Sequence, residues 1–333
     1  WLQEWASAAP GAPRGIPRSL TAVSSRLDCV SRMRRVLRLH DPVVQELINL
    51  AAKRDLRSSK QRCVVTGTKL VQDLGRRHQF HELLSKKADD PALEGLRATT
   101  QYVADERSLR RIAHLTSFEG LIGTLDLPRP SRDLVDPRLV LCLDYVQDPG
   151  IMGTLLRTAV AFQWQAVWFL PNCSDIFHPR CVRASQGALF ELPYIRGSAQ
   201  DLEKFCRRKK LTLAVSHSAG MDIGAPDYEP PPHGIALLLR EEYAAPWSPP
   251  KSAMRLRVPD PWRHTGRPSP EEEPFEPRSL DVAVAGGILM HHVKHFHYPR
   301  VARSPTLASP SHREARPRRA PPRRYEEVTA RPA

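Results

Sequence analysis

Residues 138–168 carry a strand–loop–helix–strand pattern, which constrains the fold more than any other part of the chain. The apolar run at 139–143 predicts a buried strand, and 165–170 predict a second one. Between them, Asp148-Pro149-Gly150 breaks the run, because Pro fixes φ and Gly permits a tight turn. The next apolar positions recur at helical spacing: Met152, Leu155, Ala159 and Phe162. The stretch therefore predicts a βαβ unit, with its loop at the edge where open α/β sheets bind ligands.

The same stretch contains a longer motif. Its residues are Asp148-Pro149, Gly153, Arg157-Thr158-Ala159 and Ala161-Phe162. It resembles motif 1 of the SpoU (TrmH-type) RNA 2′-O-ribose methyltransferases of the SPOUT superfamily, roughly D-P-x-N-x-G-x-x-x-R-[ST]-A-x-A-F-G. The chain departs from that pattern at Ile151, where the family has Asn, and at Gln163, where it has Gly.

Two further stretches resemble the same family. Residues 183–188 (RASQGA) are similar to its R-A-S-x-G-A pattern, and 181–189 predict a helix. Residues 279–289 are similar to motif 3, S-L-N-V-[SA]-V-A-x-G-I-L, with Asp281 in place of Asn. The apolar residues of 279–289 recur at helical spacing, so Leu280, Val284 and Ile288 are predicted to form one stripe on a helix. The resemblance implies that this helix belongs to a knot and to a dimer contact.

Motif 2 of the family is degraded in this chain. A strand is predicted at 233–239, after which the family continues G-[SN]-E-G-x-G. This chain reads Arg240-Glu241-Glu242-Tyr243, so only Glu242 aligns. Gly permits close backbone approach to a ligand, so Arg240 and Tyr243 are expected to obstruct a donor there.

The resemblance implies a site for S-adenosyl-L-methionine and RNA. Arg157 would orient and activate the ribose 2′-OH with help from a substrate phosphate, because a guanidinium is a poor base in isolation. The implied catalytic residues are Arg157 and Glu242. The implied donor-binding residues are Leu239, Arg240, Ser279, Leu280 and Asp281. The implied RNA-binding residues are Arg157, Arg183 and Lys69.

The remaining sequence predicts the domain organisation. Residues 40–127 predict a small α/β domain, with helices at 43–53, 68–74 and 109–115 and strands at 62–65 and 118–127. Residues 63–71 resemble the "fvvEGxklv" stretch of the substrate-binding domain in SpoU proteins, with Thr66 in place of Glu. The Pro-rich segment 128–137 predicts a linker to the second domain at 138–297. In that domain, 202–208 predict an amphipathic helix and 211–215 a strand.

Both ends of the 333-residue chain are rich in Arg, and the net charge of the chain is +14. Residues 1–39 are Arg-rich and acid-poor, as in organelle transit peptides, although an ordinary basic tail is an equal alternative. The transit-peptide interpretation predicts a chloroplast or mitochondrial address. Because the chain begins with Trp1 and not with Met, we expect its N-terminus to be incomplete. The tail at 298–333 is predicted to be disordered. The charge favours a nucleic-acid partner, although solvated tails without a role are an alternative.

The sequence offers little support for metal or membrane binding. None of the six cysteines forms a C-x-x-C pair. His291 and His295 have i, i+4 spacing, but no partner stands at ligand spacing, so exposed helix-end histidines are expected instead of a zinc site. No apolar run reaches the length of a transmembrane helix.

These observations predict an α/β protein in which a small RNA-binding domain precedes a SPOUT domain. The trefoil knot rests on the resemblance alone, since knots are rare. The implied function is S-adenosylmethionine-dependent 2′-O-methylation of rRNA or tRNA by a homodimer. Ile151, the lost motif-2 glycines, Asp281 and the Pro-rich insert at 246–273 favour an alternative, a catalytically impaired RNA-binding relative. A third possibility is a mis-spliced form of an active enzyme, in which the insert is intron-like sequence.

Overall fold

A computed structural model of the chain describes residues 34–241, 250, 252–259 and 280–301. The chain divides into two compact units. The first consists of residues 1–51 and 66–125, and the second of residues 52–65 and 126–333. Within the described parts of these units, two β-sheets form the framework.

The first sheet is mixed and has the strand order β1-β4-β3-β5-β2. β4 pairs in parallel with β1 and β3, whereas β3 and β5 are antiparallel. Its strands are β1 (Arg34–Leu37), β2 (Arg62–Thr66), β3 (Phe80–Ser85), β4 (Ala98–Ala104) and β5 (Ile122–Asp126). The helices in this part of the chain are α1 (Pro42–Ala52), α2 (Arg54–Lys60), α3 (Thr68–Gly75) and α4 (Glu106–Ala113).

The second sheet is parallel at every pairing, in the order β11-β9-β10-β6-β7-β8. Its strands are β6 (Leu139–Asp144), β7 (Ala166–Phe169), β8 (Tyr194–Arg196), β9 (Thr212–Asp222), β10 (Ile235–Arg240) and β11 (Met254–Arg257). The associated helices are α5 (Pro149–Ala161), α6 (Pro179–Ala184), α7 (Ala199–Lys209) and α8 (Val282–His292). Because all pairings are parallel, the carboxyl ends of the strands share one edge.

The predicted βαβ unit is confirmed. β6 and β7 pair in parallel, with Val140 opposite Ala166, and α5 connects them. Every residue of β6 is buried, as expected for a strand with apolar neighbours on both faces. The strands predicted at 62–65 and 233–239 and the helices at 43–53 and 68–74 are also present, as β2, β10, α1 and α3.

Several elements differ from the expectation. The helix predicted at 181–189 is two shorter pieces, α6 and a 3₁₀ turn at Ala188–Phe190, because Gln186 and Gly187 adopt left-handed φ values of 52° and 75°. Such a φ ends an α-helix. The strand predicted at 211–215 continues as β9 to Asp222, where β11 pairs with it.

The boundaries of two predicted segments also change. β1 lies inside the predicted leader 1–39, so the end of that segment belongs to the first sheet. β11 lies inside the insert 246–273, which was expected to be structureless. Among its four residues only Leu256 is fully buried, so the sequence carries almost no strand signal. Residues 302–333, which hold most of the predicted tail, are outside the described part of the chain.

Candidate functional site

The carboxyl ends of β6 and β10 lie side by side at the centre of the second sheet. Their register pairs Leu239 with Leu143 and Arg240 with Asp144. The Nη1 of Arg240 is 3.5 Å from Oδ2 of Asp144, and these side chains are only 15% and 4% exposed. The sheet therefore presents an almost buried pair of opposite charges at the edge where α/β proteins bind ligands.

The buried Asp144 carboxylate is incompletely satisfied. Its Oδ1 has no hydrogen-bond partner among the described residues. Burial raises the pKa of Asp144 above its ordinary value, and the positive charge of Arg240 and a backbone hydrogen bond from Tyr145 partly oppose that rise. A buried unpaired carboxylate oxygen is uncommon in folded proteins, and a bound polar ligand is one way to satisfy it.

Tyr145 follows Asp144 in the sequence and has a strained backbone conformation. Its φ is 57°, in the left-handed region that bulky residues rarely adopt. The Cζ atom of Arg240 lies 5.9 Å from the centre of the Tyr145 ring. Arg240 is therefore turned towards Asp144 and Tyr145.

Asp148 begins α5 as its N-cap. Its Oδ1 accepts hydrogen bonds from the backbone N–H groups of Gly150 at 2.6 Å and Ile151 at 2.9 Å. Its Oδ2 is 3.2 Å from Nη1 of Arg180, which belongs to α6. The Asp-Pro of motif 1 thus defines where the helix starts, and it places an arginine beside that start.

Gly153 allows α6 to lie directly on α5. A β-carbon at this position would be 2.6 Å from the carbonyl oxygen of Cys181 and 2.6 Å from Cβ of Ala184. Arg157 is four residues further along the helix, on the same face as Gly153. Its side chain is exposed, and none of the described residues forms a hydrogen bond or ion pair with it. Arg157 is therefore available to a ligand.

Arg183 lies on the helix that packs against this face of α5. It is half-buried, and burial lowers the pKa of its guanidinium, with a smaller contribution from the charge of Arg180. Both arginines belong to α6, and their mutual repulsion makes this helix favourable for an anion such as an RNA phosphate.

Motif 3 packs α8 against β10 and α5. A β-carbon on Gly286 would be 2.5 Å from Cδ1 of Leu239 and 2.7 Å from Cδ2 of Leu155. Leu239 is fully buried, so its side chain belongs to the core and only its main chain can reach a donor. Asp281 caps α8 by accepting a hydrogen bond from Ala283 N–H at 2.8 Å. The family's Asn at this position can cap in the same way.

The predicted apolar stripe of motif 3 faces solvent in this chain. Leu280, which precedes the helix, is 51% exposed, Val284 is 49% exposed and Ile288 is 37% exposed. The buried side of α8 is formed instead by Gly286, Leu289 and Met290.

The predicted site residues do not all belong to the described part of the second unit. Lys69 is exposed on α3 in the first unit. Glu242 and Ser279 lie outside the described residues. The sequence analysis did not single out Glu241, which lies at this site. Its Oε1 accepts a hydrogen bond from the backbone N–H of Gln147 at 3.0 Å. Asp144 and Tyr145 were missed too, although an Asp that ends a buried strand was a readable signal.

A surface cavity of about 250 Å³ lies elsewhere, at the C-terminal ends of α5 and α8. It is lined by Phe162, His291 and His295 among others, and the two imidazole rings stack with their centres 5.3 Å apart. Across the described ranges, no three His, Cys, Asp or Glu side chains are grouped to hold a metal ion. None of the helices described is long and apolar enough to cross a membrane.

Comparisons with known proteins agree with this geometry. A model of the SpoU rRNA Methylase family matches residues 138–244. A 23S rRNA (guanosine(2553)-2′-O)-methyltransferase of Bacillus subtilis is 30% identical over 168 residues, which are 50% of this chain and 61% of that protein. The mitochondrial rRNA methyltransferase 3A of Danio rerio is 28% identical over 158 residues, 44% of this chain and 36% of that protein.

Solved structures show the same fold. The AdoMet-bound rRNA methyltransferase from Sinorhizobium meliloti has a TM-score of 0.64 at 23% identity, covering 79% of this chain and 98% of that one. The SpoU methyltransferase AviRb from Streptomyces viridochromogenes, in complex with AdoMet, has a TM-score of 0.62 at 17% identity over 77% of this chain and 97% of that one. Residues 138–244 of the second unit therefore match the SpoU family model, and the solved structures share the fold of the chain.

Proposed function

We propose that this protein transfers a methyl group from S-adenosyl-L-methionine to a ribose 2′-OH of rRNA or tRNA. The observation that carries the proposal is Arg157. It is exposed and unpaired among the described residues, on the helix that follows the central strand of a SpoU domain. The relatives named above support the reaction, since the Bacillus subtilis protein is an rRNA 2′-O-methyltransferase. This reading takes precedence over a catalytically impaired or mis-spliced form.

The donor would be held where β10 ends and α8 begins. The main chain of Leu239, Arg240, Leu280 and Asp281 would contact it, together with Ser279 and Glu242. The unsatisfied Oδ1 of buried Asp144 fits a polar ligand at this edge. When bound, S-adenosylmethionine supplies an electrophilic methyl group.

Arg157 would act on the RNA. A guanidinium is a poor base by itself. It can bind a phosphate through two N–H groups and so fix the neighbouring ribose in line with the donor. A phosphate oxygen held in this way can accept the hydroxyl proton as the oxygen–carbon bond forms and the sulfur–methyl bond of the donor breaks.

Substrate recognition would extend beyond this helix. Arg183 would contribute a second phosphate contact, and Lys69 would do so from the first unit, which we propose is an RNA-binding domain. The net charge of +14 is consistent with a polyanionic partner.

The proposal also includes a knot in the second unit, the oligomeric state of the protein and its location in the cell. The second unit would form the trefoil knot of SPOUT proteins. It would assemble as a homodimer, which the exposed stripe of Leu280, Val284 and Ile288 favours because solvent-exposed apolar stripes mark interfaces. The protein would act in a mitochondrion or chloroplast, and the mitochondrial relatives favour the former.

A methylation assay tests the proposal. The full chain is incubated with radiolabelled S-adenosylmethionine and rRNA or tRNA, and incorporated label is located by its resistance to alkaline hydrolysis, which a 2′-O-methyl group confers. Arg157→Ala is expected to reduce transfer by at least about a hundredfold, in the range typical for a lost transition-state contact. The matched control is Arg207→Ala, an exposed helical arginine on α7. Equal activity of the two variants would overturn the role of Arg157.

A further inference from the structure

We propose that the surface cavity at the C-terminal ends of α5 and α8 binds one unpaired base of the substrate RNA. The base belongs to a nucleotide beside the one whose ribose Arg157 orients. The inference rests on the proposed function, and it adds a place where the protein holds the RNA by a base instead of by a phosphate.

The cavity adjoins the exposed face of α5 that carries Arg157. Ala161 lines the cavity and is four residues after Arg157, so their β-carbons are neighbours about 5–6 Å apart. Pro149, where α5 begins, is about 18 Å from Ala161 along the helix axis. The cavity is therefore separate from the sheet edge at which the donor would be held, and it is close enough to Arg157 for both to contact one RNA strand.

Aromatic rings form much of the cavity wall. The exposed rings of His291 and His295 are nearly parallel, with an interplanar angle of 9° and centres 5.3 Å apart. The Phe162 ring meets His291 edge-on at 5.2 Å. Unpaired RNA bases stack on such rings. The volume of about 250 Å³ is below the 300–1,000 Å³ or so of pockets for drug-sized ligands, so the cavity suits a single base.

Gln163 places a hydrogen-bonding group beside these rings. Its φ of 58° is left-handed, a conformation that favours Gly just after a helix, and the SpoU motif has Gly at this position. Within the described ranges, no residue bonds to its side-chain amide. An amide both donates and accepts, so it can contact the edge of a base. Strained residues of this kind occur at binding sites.

Lys294 adds a fixed positive charge to the cavity. Its Nζ donates to the carbonyl oxygens of Tyr298 at 3.2 Å, Pro299 at 3.1 Å and Val301 at 2.6 Å. These contacts use its three N–H donors, so Lys294 does not itself read the base. Its charge still favours an RNA strand close to the cavity.

A second copy of the chain is the competing occupant. The exposed apolar stripe of Leu280, Val284 and Ile288 ends three residues before His291, on the same side of α8. The cavity differs in character from that stripe, because imidazoles, an amide and an ammonium line it. The cores of protein interfaces are depleted of charged residues, whereas ring faces beside positive charge suit single-stranded RNA.

Fluorescence anisotropy with two labelled probes tests the inference on the full chain. One probe is a short single-stranded oligoribonucleotide of mixed sequence. The other is an abasic oligomer of the same length, which keeps the riboses and phosphates. Phosphate contacts contribute equally to both probes, so the ratio of their affinities measures the contribution of the bases. The wild-type protein is expected to bind the base-containing probe at least about tenfold more tightly.

Two variants remove groups that contact the base. His295→Ala is expected to weaken the base-containing probe about tenfold and Gln163→Gly about fivefold, and neither should change the affinity for the abasic probe. Gln163→Gly relieves the left-handed φ, so its Tm should be unchanged or higher, which separates lost binding from lost folding. Arg157→Ala is expected to weaken both probes alike, because it removes a phosphate contact.

Gln61 and His217 provide matched controls. Gln61 is also an exposed glutamine that follows a helix, α2, with a φ of 52°. His217 is an exposed histidine of β9. Both are remote in sequence from the residues that line the cavity. Gln61→Gly and His217→Ala are expected to leave the affinities for both probes unchanged.

The outcomes separate the inference from the proposed function. Equal binding of the two probes by the wild type, or His295→Ala and Gln163→Gly proteins that keep the wild-type ratio of affinities, would overturn the base site and leave the methylation assay to judge Arg157. If these variants change only the oligomeric state measured by light scattering, the cavity belongs to an interface between copies. A folded wild-type protein that binds neither probe would contradict the base site and the RNA substrate together.

Discussion

Gly153 of α5 lies against the carbonyl oxygen of Cys181, and a β-carbon at position 153 would be only 2.6 Å from that oxygen. Because the atom approached is backbone, α6 must shift to admit a side chain. We expect Gly153→Ala to reduce the free energy of unfolding by about 1–3 kcal/mol, as overpacking does. Urea denaturation of the full chain measures the change.

Gly287 provides the control for that substitution. It lies in α8, where a β-carbon would meet only Cγ2 of Thr158 at 3.9 Å, an ordinary contact. Gly287→Ala is expected to be neutral or to stabilise the protein by up to about 1 kcal/mol through helix propensity. Equal losses in the two variants would show that the close approach of α6 is not the cause.

Asp148 stabilises the start of α5 by accepting two backbone N–H groups. Asp148→Ala leaves these donors without their cap, and we expect a loss of about 1–2 kcal/mol in the free energy of unfolding. Arg180→Ala, which removes only the ion pair to Asp148, should cost less than about 1 kcal/mol because Arg180 is 59% exposed. A larger effect from Arg180→Ala in the same denaturation experiment would contradict the capping role.

Arg240 offsets the charge of buried Asp144. Removal of Arg240 should therefore lower the free energy of unfolding by an amount that depends on pH. Burial raises the pKa of Asp144 in the folded protein, and the loss of Arg240 raises it further. The folded-state pKa then lies above the unfolded value of about 3.9. The resulting destabilisation is full above the folded-state pKa and disappears as the pH falls below the unfolded value.

We therefore expect Arg240→Ala to destabilise the protein by about 3 kcal/mol at pH 8, with a cost that falls as the pH is lowered towards the unfolded-state pKa of Asp144. Urea denaturation across that range measures the difference. In the background of Asp144→Asn, Arg240→Ala should lower the free energy of unfolding by the same amount at all pH values. A loss that is independent of pH in the wild-type background would show that the charge of Asp144 does not cause it.

Arg57 and Asp175 form a second buried ion pair within the second unit. Nε of Arg57 donates to Oδ2 of Asp175 at 2.8 Å, and the side chains are only 3% and 13% exposed. Arg57→Ala leaves a buried carboxylate without its main counter-charge, and a loss of about 3–5 kcal/mol is expected. In a double-mutant cycle with Asp175→Asn, the two costs should be strongly non-additive. Additive costs would mean that the pair does not couple.

The elements predicted correctly have strong local signals. β6 is an uninterrupted apolar run, and Asp148-Pro149-Gly150 specifies the cap and first turn of α5 in adjacent residues. β3 and β4 were missed because neither alternates regularly: β3 is mostly buried but contains the half-buried pair His81 and Glu82, and β4 is mostly half-buried. β11 was missed because it is a short edge strand that depends on pairing with β9.

For the site, the sequence by itself determined motif 1, the position of Arg157 within it and the resemblance to the SpoU family, since these depend on residue types at fixed spacing. Only the tertiary structure decided that Arg240 meets Asp144, residues 96 positions apart, through the register of two parallel strands. It also decided that the stripe of α8 faces solvent, because Gly286 sets which side of the helix packs against β10. Such contacts depend on how elements pair across long sequence separations, and local patterns do not encode that pairing.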